Sequence, residues 1–281
     1  TNNSIPSKYS AVVIAAATST PINIVIKDFE NFKSMMLQNQ SPNTSETIEK
    51  YSPTFLPPNE RRRTTATIKL ALKTAEEALS HFQQRYPQAD SKLPVLFVSK
   101  DGDTFISARM CQTVAEEEPM ISPTQFHNSV HNAPAGYWMI GQKNQSPASA
   151  ISAGQFAIAN GLLEATLQSQ TYEKPVLMVI YDLPLDDLIP TAASQSAAIP
   201  FAFSMILDAS DSNQQSDYPD LNLSFTQQAP TVTASNNPYS GLPAAEAYPL
   251  LQSLVLFESN GEDQEIHFPL NQNNFIKVAL T

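Results

Sequence analysis

The chain has 281 residues, enough for one large domain or two small ones, and 42% apolar residues is ample for a packed core. Its net charge of −11 argues against nucleic acid as a partner, because neutralising phosphates needs Lys and Arg. The single cysteine, Cys111, excludes an intramolecular disulfide and a cysteine-based metal site.

Charged residues make up only 15% of the chain. That fits a surface partly buried against another subunit, although Ser, Thr, Asn and Gln standing in for charge on an ordinary surface explain it more simply. The one dense basic run, Arg61-Arg62-Arg63, is short. No apolar run reaches the roughly 18–20 residues of a membrane span. The opening Thr1-Asn2-Asn3-Ser4 has neither the charged nor the apolar block of a signal peptide, so a cytoplasmic protein is expected.

In chain order, 9–17 (YSAVVIAAA) reads as a buried strand. Residues 38–60 are polar and Pro-bearing and read as a loop. Residues 64–82 read as an amphipathic helix, with Ile68, Ala71, Leu72, Ala75, Leu79 and Phe82 at spacings of three and four. A strand over 95–99 (VLFVS) and a helix over 104–117 follow. Ser122-Pro123 starts another helix, with a Ser cap and Pro at the first position, carrying Phe126, Val130 and Ala133 up to Pro134. A short strand over 149–151 leads into a helix over 153–168. Strands follow at 175–181 (PVLMVIY) and 201–208 (FAFSMILD).

Alternating strands and helices predict a layered α/β fold, and the unbroken apolar runs predict a largely parallel sheet covered on both faces. The expected organisation is an N-terminal domain over 1–208, a polar loop or insert over 209–243, and a C-terminal helix plus hairpin over 244–281 packing on the same domain. The hairpin would turn at Asn271-Gln272-Asn273-Asn274.

Chemical motifs are sparse. There are seven glycines, and neither a GxGxxG nor a P-loop nor an HExxH is present. His127 and His131 stand four apart, on one face if a helix runs through both. A structural pair is the better reading than a metal clamp, since no third ligand is at hand. Cys111 in a helical pattern reads first as a structural thiol. Ser152 lies at a strand-to-helix turn but lacks the glycines of a nucleophile elbow. Glu116, Glu117 and Glu118 read as a solvated face. No cofactor or metal is expected.

Four stretches carry a family resemblance: LPPNERRRTTATIKLALKTAEEAL at 56–79, PVLFVSKDGD at 94–103, SPTQFHNSVHNAPAGYW at 122–138 and SAISAGQFAIANGLLEA at 149–165. They occur in the order seen in the stand-alone β-ketoacyl synthase N-terminal-domain family, over roughly 20–210. The resemblance implies a thiolase-like half, with a layered mixed or parallel sheet and helices on both faces, truncated relative to a full ketosynthase. In active ketosynthases of this fold a Thr-Ala-Cys ends a strand at a helix N-terminus, where the helix dipole favours a thiolate. The resemblance lays that tripeptide on Ser149-Ala150-Ile151, so Ile151 stands at the nucleophile's position and no catalytic residue is expected. The family's two active-site histidines belong to a second half for which this chain is too short, and His267 lies in no matching motif.

Loss of the cysteine is similar to the chain-length factors of type II polyketide synthases, in particular the partner subunits of aryl polyene pathways. That likeness implies a heterodimer with an active β-ketoacyl synthase, with the sheets meeting edge to edge and carrier protein engaged only indirectly. Phe126, Val130, His131, Asn132, Tyr137, Trp138 and Met139 are then the expected tunnel or partner-interface residues. Two alternatives stand beside this reading: acyl transfer by the chain itself through Ser152 or Cys111, and a carrier-protein docking scaffold using Arg61–Arg63 with Lys69.

Overall fold

The computed structural model describes residues 8–19, 51–184, 200–209, 220–227, 242–261 and 263–280. Among these, eight strands form one sheet in the order β3-β2-β4-β5-β1-β6-β8-β7. The strands are β1 (Lys8–Ser19), β2 (Val95–Val98), β3 (Ala148–Ile151), β4 (Val176–Asp182), β5 (Phe201–Asp208), β6 (Asp220–Thr226), β7 (Gln264–Pro269) and β8 (Phe275–Leu280). The helices are α1 (Pro58–Arg61), α2 (Ala66–Arg85), α3 (Thr104–Val114), α4 (Pro123–Ser129), α5 (Ala133–Gln142), α6 (Ala157–Tyr172) and α7 (Tyr248–Asn260), with 3₁₀ turns at Gly154–Phe156 and Pro243–Ala247.

The sheet is mixed rather than largely parallel. Only β3, β2 and β4 run parallel; every other pairing is antiparallel. The apolar runs misled because all residues of β4 and β5 are buried whatever their direction. Burial of both faces needs two covering layers, and those are present. Leu96, Val98, Met178, Ile180, Phe203 and Met205 face one layer, built by α6, the turn at Pro243–Ala247 and α7. Val95, Phe97, Leu177, Val179, Tyr181 and Ile206 face the other, built by α2 and α5. Each such large side chain contributes about 1.5–3 kcal/mol of transfer free energy. α6 lies close on the sheet at Gly161, where a Cβ would stand 2.9 Å from both Val98 Cγ2 and Met178 Cε.

Two expectations change. The helix starting at Ser122 stops at Ser129, because Val130 takes extended backbone with φ −72° and ψ 139°. Pro134 then opens α5 rather than closing a helix, since a proline in the first turn lacks only an N–H that would have no partner there. The polar segment 209–243 is not all loop either: β6 joins β1 to β8. Its DLNLSFT alternates with period two, and Leu221 and Leu223 are buried. Residues 210–219 and 228–241 of that segment, and 38–50 of the first expected loop, lie outside the described residues. The C-terminal hairpin forms as expected, with Asn271 Oδ1 accepting from the N–H groups of Asn273 and Asn274, both at 3.0 Å.

Candidate functional site

The parallel strands end together. Val98 pairs with Ile151 and Ile180, and the loop after β2 crosses in front of β3. Ile151 closes β3 with its side chain half-buried against the core. Its carbonyl accepts the Ser99 N–H at 3.2 Å and the His131 Nε2–H at 3.0 Å. Nε2 of His131 therefore carries a hydrogen, and Nδ1 faces Gly102, where a Cβ would come within 3.1 Å. Gly102 also has φ +65°, a conformation that favours glycine. Past Ile151, Ser152 is exposed and donates its hydroxyl to the Lys100 carbonyl. The chain then passes through Gly154 (φ +56°) and a 3₁₀ turn into α6. A sec-butyl side chain thus ends β3, with no S–H or O–H to act as nucleophile.

Under this corner lies a buried carboxylate that sequence reasoning missed. Asp182, the last residue of β4, accepts from Ser99 Oγ at 2.6 Å, from the Lys100 N–H at 3.2 Å and from the Ala244 N–H at 2.8 Å. Ser99 Oγ in turn accepts from the Gly102 N–H at 2.9 Å. Burial pushes the Asp182 carboxyl up to about 7; the Ser99 hydrogen bond opposes that, the charge of Asp101 adds to it, and the Ala244 and Lys100 N–H groups oppose it again. The signal was an acidic residue closing an otherwise apolar strand, VLMVIYD.

A cavity of about 490 Å³ opens between the first turns of α2 and α3 and is closed by Gln125, Leu183 and Pro184. Asp103 caps α3 by accepting the Ile106 N–H at 3.1 Å. Phe105 lines the cavity yet is 54% exposed, and the Arg109 guanidinium stands 5.0 Å from its ring centroid. Ile106 is the only buried residue of α3. Val114, Met120, Ile121, Phe126 and Val130 are exposed along the same stretch, Met120 to 86%.

The expected site residues separate into two groups. Phe126, Val130 and Asn132 face outward. Tyr137 and Trp138, expected at the tunnel or interface, belong instead to the chain's own core, because α5 turns that side toward α2 and β2. Trp138 packs edge-on against Phe55 at 5.5 Å, and Met139 is half-buried beside them. The Tyr137 hydroxyl donates to Asn128 Oδ1 at 2.9 Å, and Asn128 Nδ2 donates to the Arg63 carbonyl at 2.7 Å. Of the 122–141 segment only Gln125 lines the cavity. The helix break at Val130 separates His127 from His131, and the His127 ring stacks edge-on against Tyr137 at 5.9 Å. Cys111 is exposed on α3. Arg61 donates to the Thr54 and Leu56 carbonyls, Arg62 to Asn59, and Arg63 pairs with Glu60, so the basic run binds its own turn.

Comparisons with known proteins agree with this architecture. The family model described as "Beta-ketoacyl synthase, N-terminal domain" matches residues 35–259, starting later than the sequence resemblance was drawn and extending past its end. A chain of the complex between the ketosynthase ApeO and its chain length factor ApeC from Xenorhabdus doucetiae has a TM-score of 0.67 at 22% identity, covering 96% of this chain and 99% of that one. A chain of the ishigamide ketosynthase/chain length factor has a TM-score of 0.67 at 10% identity, covering 96% and 99%. A chain of AntDE:AntF, a type II polyketide synthase acyl-carrier protein in complex with its ketosynthase, has a TM-score of 0.68 at 10% identity, covering 98% and 99%. A search of the curated proteins finds no match. At these identities the solved structures speak to the thiolase-like ketosynthase fold, and it is the family match that assigns the chain: it belongs to the β-ketoacyl synthase N-terminal-domain family.

Proposed function

We propose that this chain is a non-catalytic, chain-length-factor-like subunit. It pairs with an active β-ketoacyl synthase in type II polyketide synthesis of the aryl polyene kind and helps shape the tunnel for the growing chain. The observation that carries the reading is the end of β3, where Ile151 offers no nucleophile and its carbonyl is engaged by Ser99 and His131. Ser152 spends its hydroxyl on a backbone carbonyl.

Two further features support a partner. The first is α3, a helix with one buried residue that exposes Phe105 and Val114 and is followed by exposed Met120, Ile121 and Phe126. The second is the contrast between the sheet edges. β7 carries Pro269, and its Glu265 pairs with Lys277 of β8 at 2.9 Å; charge and proline of this kind blunt an edge. β3, Ala-Ser-Ala-Ile, carries no charge and no proline within the strand. An unblunted edge and exposed apolar side chains are what edge-to-edge pairing with another subunit requires. Phe105, between the cavity and the exposed side of α3, is then the residue that limits how far a chain from the partner enters. Carrier protein docks on the ketosynthase, because the arginine run here binds its own turn and Glu116, Glu117 and Glu118 are exposed.

The test is co-expression with an active β-ketoacyl synthase from the same source, followed by size-exclusion chromatography and a condensation assay with carrier-bound substrates. A stable complex that condenses, and an isolated chain that does not, is the expected result. Condensation by the isolated chain, or elution as separate monomers, sinks the reading.

A further inference from the structure

We infer that Gln168 is a docking residue whose side-chain oxygen takes a hydrogen bond from the ketosynthase partner beside β3, an edge strand among the described residues. The inference rests on the reading of this chain as a ketosynthase partner.

Gln168 lies on α6 and is 5% exposed. Its Nε2 donates to Ser149 Oγ of β3 at 3.1 Å and to Glu164 Oε1 at 2.8 Å. An ionised carboxylate only accepts, so the amide nitrogen must face Glu164 and the flipped amide is excluded. Oε1 is therefore left buried with no donor. Native proteins seldom keep such a group without a reason, because its desolvation is uncompensated.

The surroundings indicate where a donor comes from. The Ser149 contact ties Gln168 to β3, which pairs only with β2 among the described residues. Glu164, Gln168 and Tyr172 follow one another at four-residue spacing along α6, with Leu163 and Leu167 on the neighbouring row. Leu167 is 38% exposed and Tyr172 42%, on a helix whose other large apolar residues pack on the core. An exposed Leu and Tyr flanking an unsatisfied amide oxygen, along a strand with one pairing partner among the described residues, form an interface patch rather than a solvated face. The occupant that fits is the partner's own edge strand and adjacent helix. These would supply apolar surface to Leu167 and Tyr172 and an N–H or O–H to Gln168, and a carboxylate would be rejected there. Because Oε1 is buried in the isolated chain, the bond requires the side chains over it to change rotamer on docking, a change common at such surfaces.

The experiment measures the affinity of the full chain for the active β-ketoacyl synthase from the same source used in the co-expression test, at a temperature where circular dichroism shows each variant folded. Gln168→Met keeps the bulk and removes the amide. It is expected to weaken the complex at least tenfold while leaving the melting temperature of the isolated chain unchanged or raised. Ser149→Ala breaks the intrachain bond but leaves Oε1, and is expected to keep the affinity within twofold. The inference is overturned if Gln168→Met binds as wild type, or if Ser149→Ala weakens binding as much, which would make Gln168 a support for β3 only. If the wild-type chain itself fails to bind, the partner reading falls and this inference with it; wild-type binding with an indifferent Gln168→Met sinks the inference alone.

Discussion

Replacing Asp182 by asparagine should change the stability of the chain in a pH-dependent way. In the fold the carboxyl is pushed up to about 7, whereas its ordinary value is 3.8. The folded chain therefore holds a proton that the unfolded chain has released, and stability falls as pH rises through this window and levels off above it. At about 1.4 kcal/mol per unit, the full swing is about 4 kcal/mol, of which about 2–3 kcal/mol falls between pH 5 and 8. A carboxamide cannot titrate, so the variant lacks this loss. It has a fixed penalty instead. The amide oxygen can still accept from Ser99 and Lys100, but the NH₂ then faces the Ala244 N–H, leaving a buried donor unpaired at about 1–3 kcal/mol. Asp182→Asn should accordingly be the less stable protein at pH 5 and close the gap by about 2–3 kcal/mol at pH 8. Urea unfolding of both proteins at intervals across this range measures the difference directly, and contributions from other titrating groups cancel in it. A gap that stays constant from pH 5 to 8 refutes the reasoning, since Asp182 would then be ionised throughout.

Three further outcomes follow from the placement of particular side chains. Phe105→Ala should lengthen the product distribution of the complex, read by mass spectrometry, with little change in chain stability because Phe105 is 54% exposed. Trp138→Ala should do the reverse: it empties a fully buried site against Phe55, so the isolated chain should lose about 3–5 kcal/mol in denaturant unfolding. Ile151→Cys should bind thiol reagents without gaining condensing activity, since the imidazole beside it, His131, gives its Nε2–H to the residue-151 carbonyl and turns Nδ1 toward Gly102. Condensation by the isolated Ile151→Cys chain would show that the missing cysteine alone silences it.

The elements that declared themselves in the sequence are those whose pattern is local. α2 repeats its apolar residues at spacings of three and four and is capped by Thr65, which accepts the Ile68 N–H at 3.2 Å. β2, β4 and β5 are short unbroken apolar runs, and the hairpin turn at 271–274 is built by Asn271 itself. Strand direction is not local. β5 reads like a parallel strand because its burial is the same either way, and only its pairing with β1 and β4 shows it to be antiparallel to both. β6 was hidden for the opposite reason: its alternation spans seven residues inside a long polar stretch, too short to stand out until β1 and β8 pair with it.

The site was legible in part for the same reason. That β3 ends on Ile151 and leads into a helix can be read from SAISAGQFAIANGLLEA, because strand, turn and helix are contiguous there. The roles of the 122–141 residues depend on which way α5 faces, and that is decided by a kink at Val130 with no glycine or proline at it. Had one helix continued through, Phe126 and Val130 would share its apolar side with Ala133, and Trp138 would fall further along the same helix. The break instead turns α5 so that Tyr137 and Trp138 enter the core while Phe126 and Val130 stay outside. Its cause lies at longer range. Asn128 reaches the Arg63 carbonyl, 65 residues back, and holds the Tyr137 hydroxyl, while His131 reaches the Ile151 carbonyl, 20 residues on. Those bonds pull the two sides of Val130 to different anchors, and one straight helix has no means of meeting both. Phe126 and Val130 are thereby left on the outer surface, exposed like Phe105 and Val114 of α3.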